Sequence, residues 1–185
     1  MNITSYNTVM YNNPLLRPPR PFYLLIFLGC TGLLSFGYYL QFYEGLEPCP
    51  LCIFQRIAYI LIALTALTGL LHGAQGIGLR IYSGLITMIA LIGDGIAGWQ
   101  VRLQHLPPEQ VPECGPGLDY MLDMFPLMDT IKMAFSGSGE CAEVDWTFLT
   151  FSIAEWSLVC FTLLVILSVI HCTLKKLINI KGVQL

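Results

Sequence analysis

The sequence places two cysteines, Cys49 and Cys52, close together, with only Pro50 and Leu51 between them. This spacing lets the two thiols close a small disulfide ring, and Cys-x-x-Cys pairs often have a depressed thiol pKa. The thiolate is the form of cysteine that attacks a disulfide. A helix that begins at this motif adds the positive end of its dipole near Cys52. The pair therefore indicates thiol–disulfide exchange.

Arg56 follows Cys52 by four residues, which places it one helical turn further on the same face. Its guanidinium offers a fixed positive charge and a planar fork of donors. A quinone is a membrane-soluble electron acceptor whose carbonyl gains negative charge on reduction, so a nearby cation stabilises it. We interpret Arg56 as a quinone-binding residue. The alternative is an arginine near a helix end that extends to the membrane interface.

The composition indicates what kind of fold must hold these residues. Hydrophobic residues make up 55% of the 185-residue chain and charged residues only 11%, whereas a soluble domain is usually about 25% charged. Nine basic and twelve acidic side chains cannot cover a water-soluble fold of this size, and a net charge of −3 offers no basic surface to nucleic acid. The composition therefore excludes most soluble enzymes, disordered proteins and nucleic-acid binders, and predicts an integral membrane protein.

Four apolar segments are long enough to span a membrane: 22–40, 51–71, 81–101 and 156–174. A helix needs about 20 residues to cross about 30 Å of hydrocarbon, and it satisfies its own backbone hydrogen bonds. The segments lack the alternating pattern of barrel strands. We therefore predict an all-α fold, in which residues 1–185 form a single membrane domain built as a four-helix bundle.

The basic residues predict how this bundle is oriented. Six of the nine lie on one side: Arg17, Arg20, Arg80, Lys175, Lys176 and Lys181. By the positive-inside rule this side is cytoplasmic, together with the terminal segments 1–21 and 175–185. The loops 41–50 and 102–155 then lie on the outer side. Within the long loop, 118–135 is rich in Met, Leu and Phe, which predicts a short interfacial helix on the membrane surface; a turn packed on the bundle is the alternative.

The predicted topology divides the seven cysteines into two groups. The outer side, where disulfides persist, holds Cys49, Cys52, Cys114 and Cys141. The spans and the cytoplasmic end hold Cys30, Cys160 and Cys172, which we interpret as small apolar residues. Two alternatives to redox chemistry are a purely structural disulfide and a Cys₄ zinc site. Zinc sites usually pair two short Cys-x-x-Cys arms, whereas 26 residues separate Cys114 from Cys141.

Asp94 is an ionisable residue inside the third predicted span, about 10 Å from the outer end of that span by helix rise. Ionisable residues at this depth are costly and are candidates for function. Two interpretations stay open. Asp94 is either a neutral, hydrogen-bonded carboxyl or part of a proton path for quinone reduction.

The segment from Cys49 to Arg56, which reads CPLCIFQR, resembles the signature of the DsbB family of bacterial inner-membrane disulfide oxidoreductases. Residues 103–118, and 138–143 followed by Trp146, are similar to the second outer loop of that family. The resemblance covers roughly 22–172. It implies a thiol oxidase in the bacterial inner membrane, with both termini cytoplasmic. Such an oxidase reoxidises a periplasmic, thioredoxin-like DsbA-type protein and passes two electrons to the membrane quinone pool, either ubiquinone or menaquinone.

The resemblance also implies roles for individual residues. The partner attacks a disulfide that matches Cys114 and Cys141, and Cys114 forms the mixed disulfide. Electrons then pass to Cys49 and Cys52, of which Cys52 lies next to the quinone. Arg56 matches the family arginine that supports quinone binding.

One departure from the family pattern concerns the segment before the second outer loop. Relatives usually have Arg-His where this chain has Trp99 and Gln100. The role of that histidine at the quinone site therefore does not carry over, and Gln100 is a candidate hydrogen-bond donor to the quinone in its place. The competing functions are a membrane metal-binding or transport component with cysteine ligands, and a structural subunit whose disulfides only staple its loops.

Overall fold

The computed structural model of this chain describes residues 20–110, 126, 128, 129, 132, 139–144 and 146–180. Four long helices form the bundle: α1 (Arg20–Tyr43), α2 (Pro50–His72), α3 (Ile77–Gln104) and α5 (Ile153–Ile180). All four are long and apolar enough to cross a membrane, α5 over Ile153–Thr173. Each contains the span that the sequence predicts and extends beyond it at both ends. The predicted all-α membrane bundle is confirmed.

The helices pack in chain order, with α2 between α1 and α3, and α3 between α2 and α5. The ring of Phe22 on α1 stacks on His171 of α5, with centroids 3.8 Å apart, and so closes the bundle. Gly93 lets α3 approach α5, since a Cβ at this position would lie 2.5 Å from Cε1 of Phe161. Close approach at small residues is a common way for membrane helices to gain packing energy, because lipid provides no hydrophobic drive for helix association.

Local sequence explains where α2 begins and ends. Cys49 is the N-cap, and its sulfur accepts a hydrogen bond from the backbone N–H of Cys52 at 3.4 Å. Pro50 occupies the first helical position, where its fixed φ and missing N–H cost nothing. The helix ends at Gly73, which has a φ of 59° and donates its N–H to the carbonyls of the last turn. A short turn then leads into α3.

The segment before α5 covers the end of the bundle at which Cys49 lies, which we call the cysteine end. A one-turn helix, α4 (Gly139–Ala142), packs against α2 and α3. Strands β1 (Thr147–Phe148) and β2 (Phe151–Ser152) then form an antiparallel hairpin. Ser152 and Glu155 make a reciprocal capping box at the start of α5, with bonds of 2.7 and 3.2 Å. The cap fixes the point at which α5 enters the bundle.

Two predicted features lie outside the described residues. The interfacial helix predicted for 118–135 falls there except at positions 126, 128, 129 and 132, and so does the terminal segment 1–21 except at positions 20 and 21. Both stay predictions.

Candidate redox site

The Cys-x-x-Cys motif forms a compact pair of sulfurs at the N-terminus of α2. The thiol of Cys49 donates to the sulfur of Cys52, with the two Sγ atoms 2.9 Å apart. Cys49 is 8% exposed and belongs to a small apolar cluster that includes Leu51 and Leu103. The pair is therefore placed in a partly desolvated position where a dithiol and a disulfide are both sterically possible.

Cys141 completes a group of three sulfurs. It lies on α4, is fully buried, and hydrogen bonds with Cys49. The sequence predicts that both residues lie on the outer side, but nothing in their spacing places them in contact. Cys114 lies outside the described residues, so its pairing with Cys141 stays a prediction.

The contacts of Cys49 change the expectation drawn from its motif. Its hydrogen bond with Cys141, its hydrogen bond with Cys52 and its burial raise the pKa of the Cys49 thiol above the ordinary value. Cys-x-x-Cys pairs often have a lowered thiol pKa, and Cys49 shows the opposite. Cys49 therefore holds a proton and offers it to the sulfur of Cys52.

Two glutamines lie against the sulfurs. Gln100 on α3 directs its Nε2 toward Cys49 and Cys52, at 3.3 Å from each Sγ. Gln55 on α2 donates from its own Nε2 to Oε1 of Gln100 at 2.7 Å. Our sequence interpretation included Gln100 but missed Gln55. The signal that could have found it is a polar residue inside an apolar span, three positions after Cys52.

Arg56 is tied to α1. Its Nη1 donates to Oε1 of Gln41 at 2.5 Å, and its Nη2 donates to the carbonyl of Gly37 at 3.2 Å. The guanidinium carbon also lies 5.0 Å from the ring centroid of Tyr38, a cation–π contact. The positive charge is thus held in place between α1 and α2.

A cavity of about 1400 Å³ is lined by four of the six predicted site residues. Its lining includes Cys49, Cys52, Arg56 and Gln100, with Trp146 and Trp156 contributed by the hairpin region and α5. Cavities that bind drug-sized ligands usually measure about 300–1,000 Å³ and combine an apolar wall with a few polar groups. The cavity is large enough for an aromatic head group, and Arg56 and Gln100 are among the hydrogen-bond donors that line it.

The remaining candidates lie apart from the three sulfurs. Cys30 is buried in the main apolar core between the helices, as expected of a small apolar residue. Asp94 accepts a hydrogen bond of 2.9 Å from Thr162 of α5, which fits the interpretation of a hydrogen-bonded carboxyl. Among the described residues, no group of three or more His, Cys, Asp or Glu side chains is arranged to hold a metal ion.

Comparison with known proteins gives a consistent result. The model of the family described as "Disulfide bond formation protein DsbB" matches residues 19–171. A disulfide bond formation protein B of Azoarcus sp. (strain BH72) is 51% identical over 145 residues, which cover 78% of this chain and 87% of the relative. A protein of the same name from Methylococcus capsulatus is 54% identical over 142 residues, covering 77% and 87%.

A third relative is disulfide bond formation protein B 1 of Pseudomonas aeruginosa, which is 46% identical over 146 residues and covers 79% of this chain and 90% of its own length. The family match covers α1, α2 and α3 in full, α5 as far as residue 171, and Cys49, Cys52 and Cys141. The chain is a multi-pass membrane protein with an oxidoreductase role, and it belongs to the DsbB family of disulfide bond formation proteins.

Proposed function

We propose that this chain is a thiol oxidase that reoxidises a periplasmic DsbA-type protein and passes two electrons to a membrane quinone. The observation that carries the proposal is the contact of Cys141 with Cys49, which itself bonds to Cys52 beside the cavity. The three sulfurs connect a loop segment, which a soluble partner can reach, to a site that a lipid-soluble acceptor can reach. Membership of the DsbB family supports the same direction of electron flow.

The first exchange takes place on the loop. The thiolate of the reduced partner attacks Cys114 in a Cys114–Cys141 disulfide, which forms a mixed disulfide and releases Cys141 as a thiolate. The second thiol of the partner then attacks the partner's own sulfur in the mixed disulfide, which forms the partner's disulfide and releases Cys114 as a thiolate. Cys114 and Cys141 are now reduced by two electrons.

The second exchange uses the observed contact. The sulfur of Cys141 attacks Cys49 in a Cys49–Cys52 disulfide and releases Cys52 as a thiolate. Attack by Cys114 on Cys141 then re-forms the loop disulfide and frees Cys49, which takes up a proton. The two electrons of the partner now reside on Cys49 and Cys52, and the raised pKa of Cys49 keeps that leaving sulfur protonated.

The cavity fits a quinone head group in size and in chemistry. A bound quinone supplies an acceptor for two electrons and two protons. Arg56 holds a fixed positive charge at the cavity wall, because Gln41 and Gly37 occupy two of its donor positions and restrain the side chain. Gln100, which also lines the cavity, is the candidate amide donor.

The proposed location is the bacterial inner membrane, with both termini cytoplasmic. Arg20 packs on the turn between α2 and α3, since a Cβ on Gly73 would lie 3.0 Å from its Nη2. Arg80 lies in the first turn of α3 at the same end of the bundle. This end is opposite the cysteine end, so the positive-inside rule supports a periplasmic position for the sulfurs.

The decisive experiment is anaerobic mixing of the purified protein with ubiquinone-1 or a soluble menaquinone analogue and a reduced DsbA-type protein. We expect loss of quinone absorbance in step with loss of partner thiols, one quinone for two thiols. Cys52→Ser is the matched control: quinone absorbance should stay flat, and loss of partner thiols should stop once the loop disulfide of each molecule has been reduced. Partner oxidation without quinone reduction, or no reaction with either quinone, would refute the proposal.

A further inference from the structure

Gln55 and Gln100 are two primary amides buried at the membrane end of the sulfur group, at 4% and 3% exposure. Burying an amide costs free energy unless its polar atoms find partners. A hydrophobic residue would avoid that cost at either position. The pair therefore calls for an explanation in terms of what its atoms contact.

The hydrogen bonds fix the polarity of the pair. Because Gln55 donates to Oε1 of Gln100 at 2.7 Å, the amide of Gln100 must turn its Nε2 the other way. That nitrogen faces both sulfurs, 3.3 Å from Cys49 and 3.3 Å from Cys52. The sulfur of Cys52 thus accepts from two donors, the Cys49 thiol and the Gln100 amide. A thiolate, which only accepts, matches this arrangement best.

We propose that Gln55 and Gln100 act as a polarised amide pair that stabilises the thiolate of Cys52, with Gln100 contacting the reacting sulfur and Gln55 acting as the positioning residue. The inference deepens the proposed function and rests on it, because Cys52 lines the acceptor cavity together with Cys49. The other titratable or charged groups that influence Cys52 are Cys49, Cys141 and Arg56.

An amide suits this task better than a second cation. When Cys49 and Cys52 form a disulfide the negative charge disappears, and a buried cation would then be left without a partner. The amide also serves the protonated state, because the thiol of Cys52 can donate to Oε1 of Gln100 at 3.7 Å. One neutral side chain therefore accommodates thiol, thiolate and disulfide. Arg56, which is held by α1, attracts the Cys52 thiolate at longer range and takes no part in the hydrogen bonds of the amide pair.

The test measures the reactivity of Cys52 in the full-length, reduced, quinone-free protein. Iodoacetamide labelling at each cysteine is followed by peptide mass spectrometry across a pH series, which gives the midpoint pH of Cys52 alkylation. We expect Gln100→Met to raise this midpoint and to slow labelling below it roughly tenfold or more, as expected for loss of a charge-assisted hydrogen bond. Gln55→Met should act in the same direction, since the Gln100 amide is then free to rotate.

The double variant distinguishes positioning from general packing. If Gln55 acts through Gln100, the variant with both substitutions should shift the midpoint no further than Gln100→Met alone, whereas independent effects add. Gln104→Met is the matched control, because Gln104 lies one turn further on α3 and its Oε1 accepts instead from Ser152 at 2.8 Å. Its Cys52 midpoint should equal that of the unaltered protein.

Unchanged midpoints in both single variants would overturn the proposal, and so would additive shifts in the double variant. If Gln100→Met does not fold, the Cys52 midpoint of Gln55→Met alone still tests the proposal, because the Gln55 side chain bonds to Gln100 and not to either sulfur. The labelling needs neither quinone nor partner. If the Cys52 midpoints do not shift in the variants while the unaltered protein reduces quinone normally, only the amide pair is refuted. If the midpoints shift as expected but the unaltered protein shows no quinone turnover, the proposed function is refuted.

Discussion

Cys141 hydrogen bonds with Cys49, although the two residues belong to different loops of the chain. Cys141 is fully buried on α4, and Cys49 is the N-cap of α2. The contact brings a loop sulfur to the motif sulfur farther from the membrane interior. The electron path that we propose depends on this relationship.

The loop cysteines should be essential for oxidation of the partner. Cys114→Ser and Cys141→Ser each remove the disulfide that the partner thiolate attacks, so partner oxidation should fall to the uncatalysed rate. Thiol titration of a DsbA-type protein under turnover measures this. Cys30→Ser, Cys160→Ser and Cys172→Ser are the matched controls and should leave turnover near normal. A large loss of turnover in a control would show that the division into redox cysteines and small apolar cysteines is wrong.

The pKa of the Cys49 thiol should depend on its hydrogen bond with Cys141. The pKa of Cys49 lies above its ordinary value of 9.0 chiefly because of the hydrogen bond with Cys141. Cys141→Ala removes that bond, so the pKa falls toward 9.0, the thiolate fraction at a fixed pH rises, and alkylation of reduced Cys49 accelerates. The gain is about tenfold for each pH unit by which the pKa falls.

Labelling of Cys49 followed by mass spectrometry across a pH series measures this change. Cys172→Ala, at the opposite end of the bundle, should leave the profile of Cys49 unchanged. If the pH profile of Cys49 labelling stays the same in Cys141→Ala, the contact with Cys141 does not set the pKa of Cys49.

Arg56→Met should impair the quinone half-reaction more than the thiol half-reaction. The guanidinium is fixed by Gln41 and Gly37 at the wall of the cavity, whose lining does not include the loop sulfur Cys141 among the described residues. Loss of a charge-assisted hydrogen bond costs about 1.5–3 kcal/mol, or roughly 10- to 150-fold in apparent quinone affinity or rate. Arg56→Lys should restore only part of this, because it keeps the charge but not the planar fork.

The measurement is turnover against quinone concentration, with single-turnover exchange with reduced partner measured separately. Arg80→Met, which removes a positive charge at the other end of α3, is the control for net charge. Unchanged quinone kinetics in Arg56→Met would identify Arg56 as an interfacial anchor.

Gly93→Ala should weaken the contact between α3 and α5. The added Cβ would lie 2.5 Å from Phe161, so the ring or a helix must move. Overpacking of this kind costs about 1–3 kcal/mol, which corresponds to a fall in Tm of roughly 2–10 °C for a protein of this size. Thermal unfolding in detergent measures it. Gly95→Ala is the matched control, because nothing lies within 4 Å of its Cβ position. Equal Tm values in the two variants would contradict the packing argument.

The orientation of the bundle can be tested with reporter fusions. A reporter joined after Lys176 should behave as cytoplasmic, and one inserted near Gly137 should behave as periplasmic, because the basic residues collect at the first of these ends. Alkaline phosphatase and green fluorescent protein report the two sides. The reverse pattern would place the sulfurs in the reducing compartment and remove the basis for the oxidase.

The sequence alone was sufficient to predict the four long apolar helices and the close pairing of Cys49 with Cys52. Both are local properties: the length of an apolar run predicts a membrane helix, and the separation of Cys49 from Cys52 sets the size of the ring that they can close. Helix spacing also placed Arg56 one turn beyond Cys52, and both line the same cavity. The family resemblance followed from the same short segments.

The tertiary structure alone decided which distant side chains meet. The contact of Cys141 with Cys49, the bond between Gln55 and Gln100, and the attachment of Arg56 to Gln41 all join separate elements. Such contacts depend on how far each helix is rotated and how closely its neighbour approaches. Those quantities are set by packing, as where Gly93 admits Phe161, and no local spacing in the sequence encodes them.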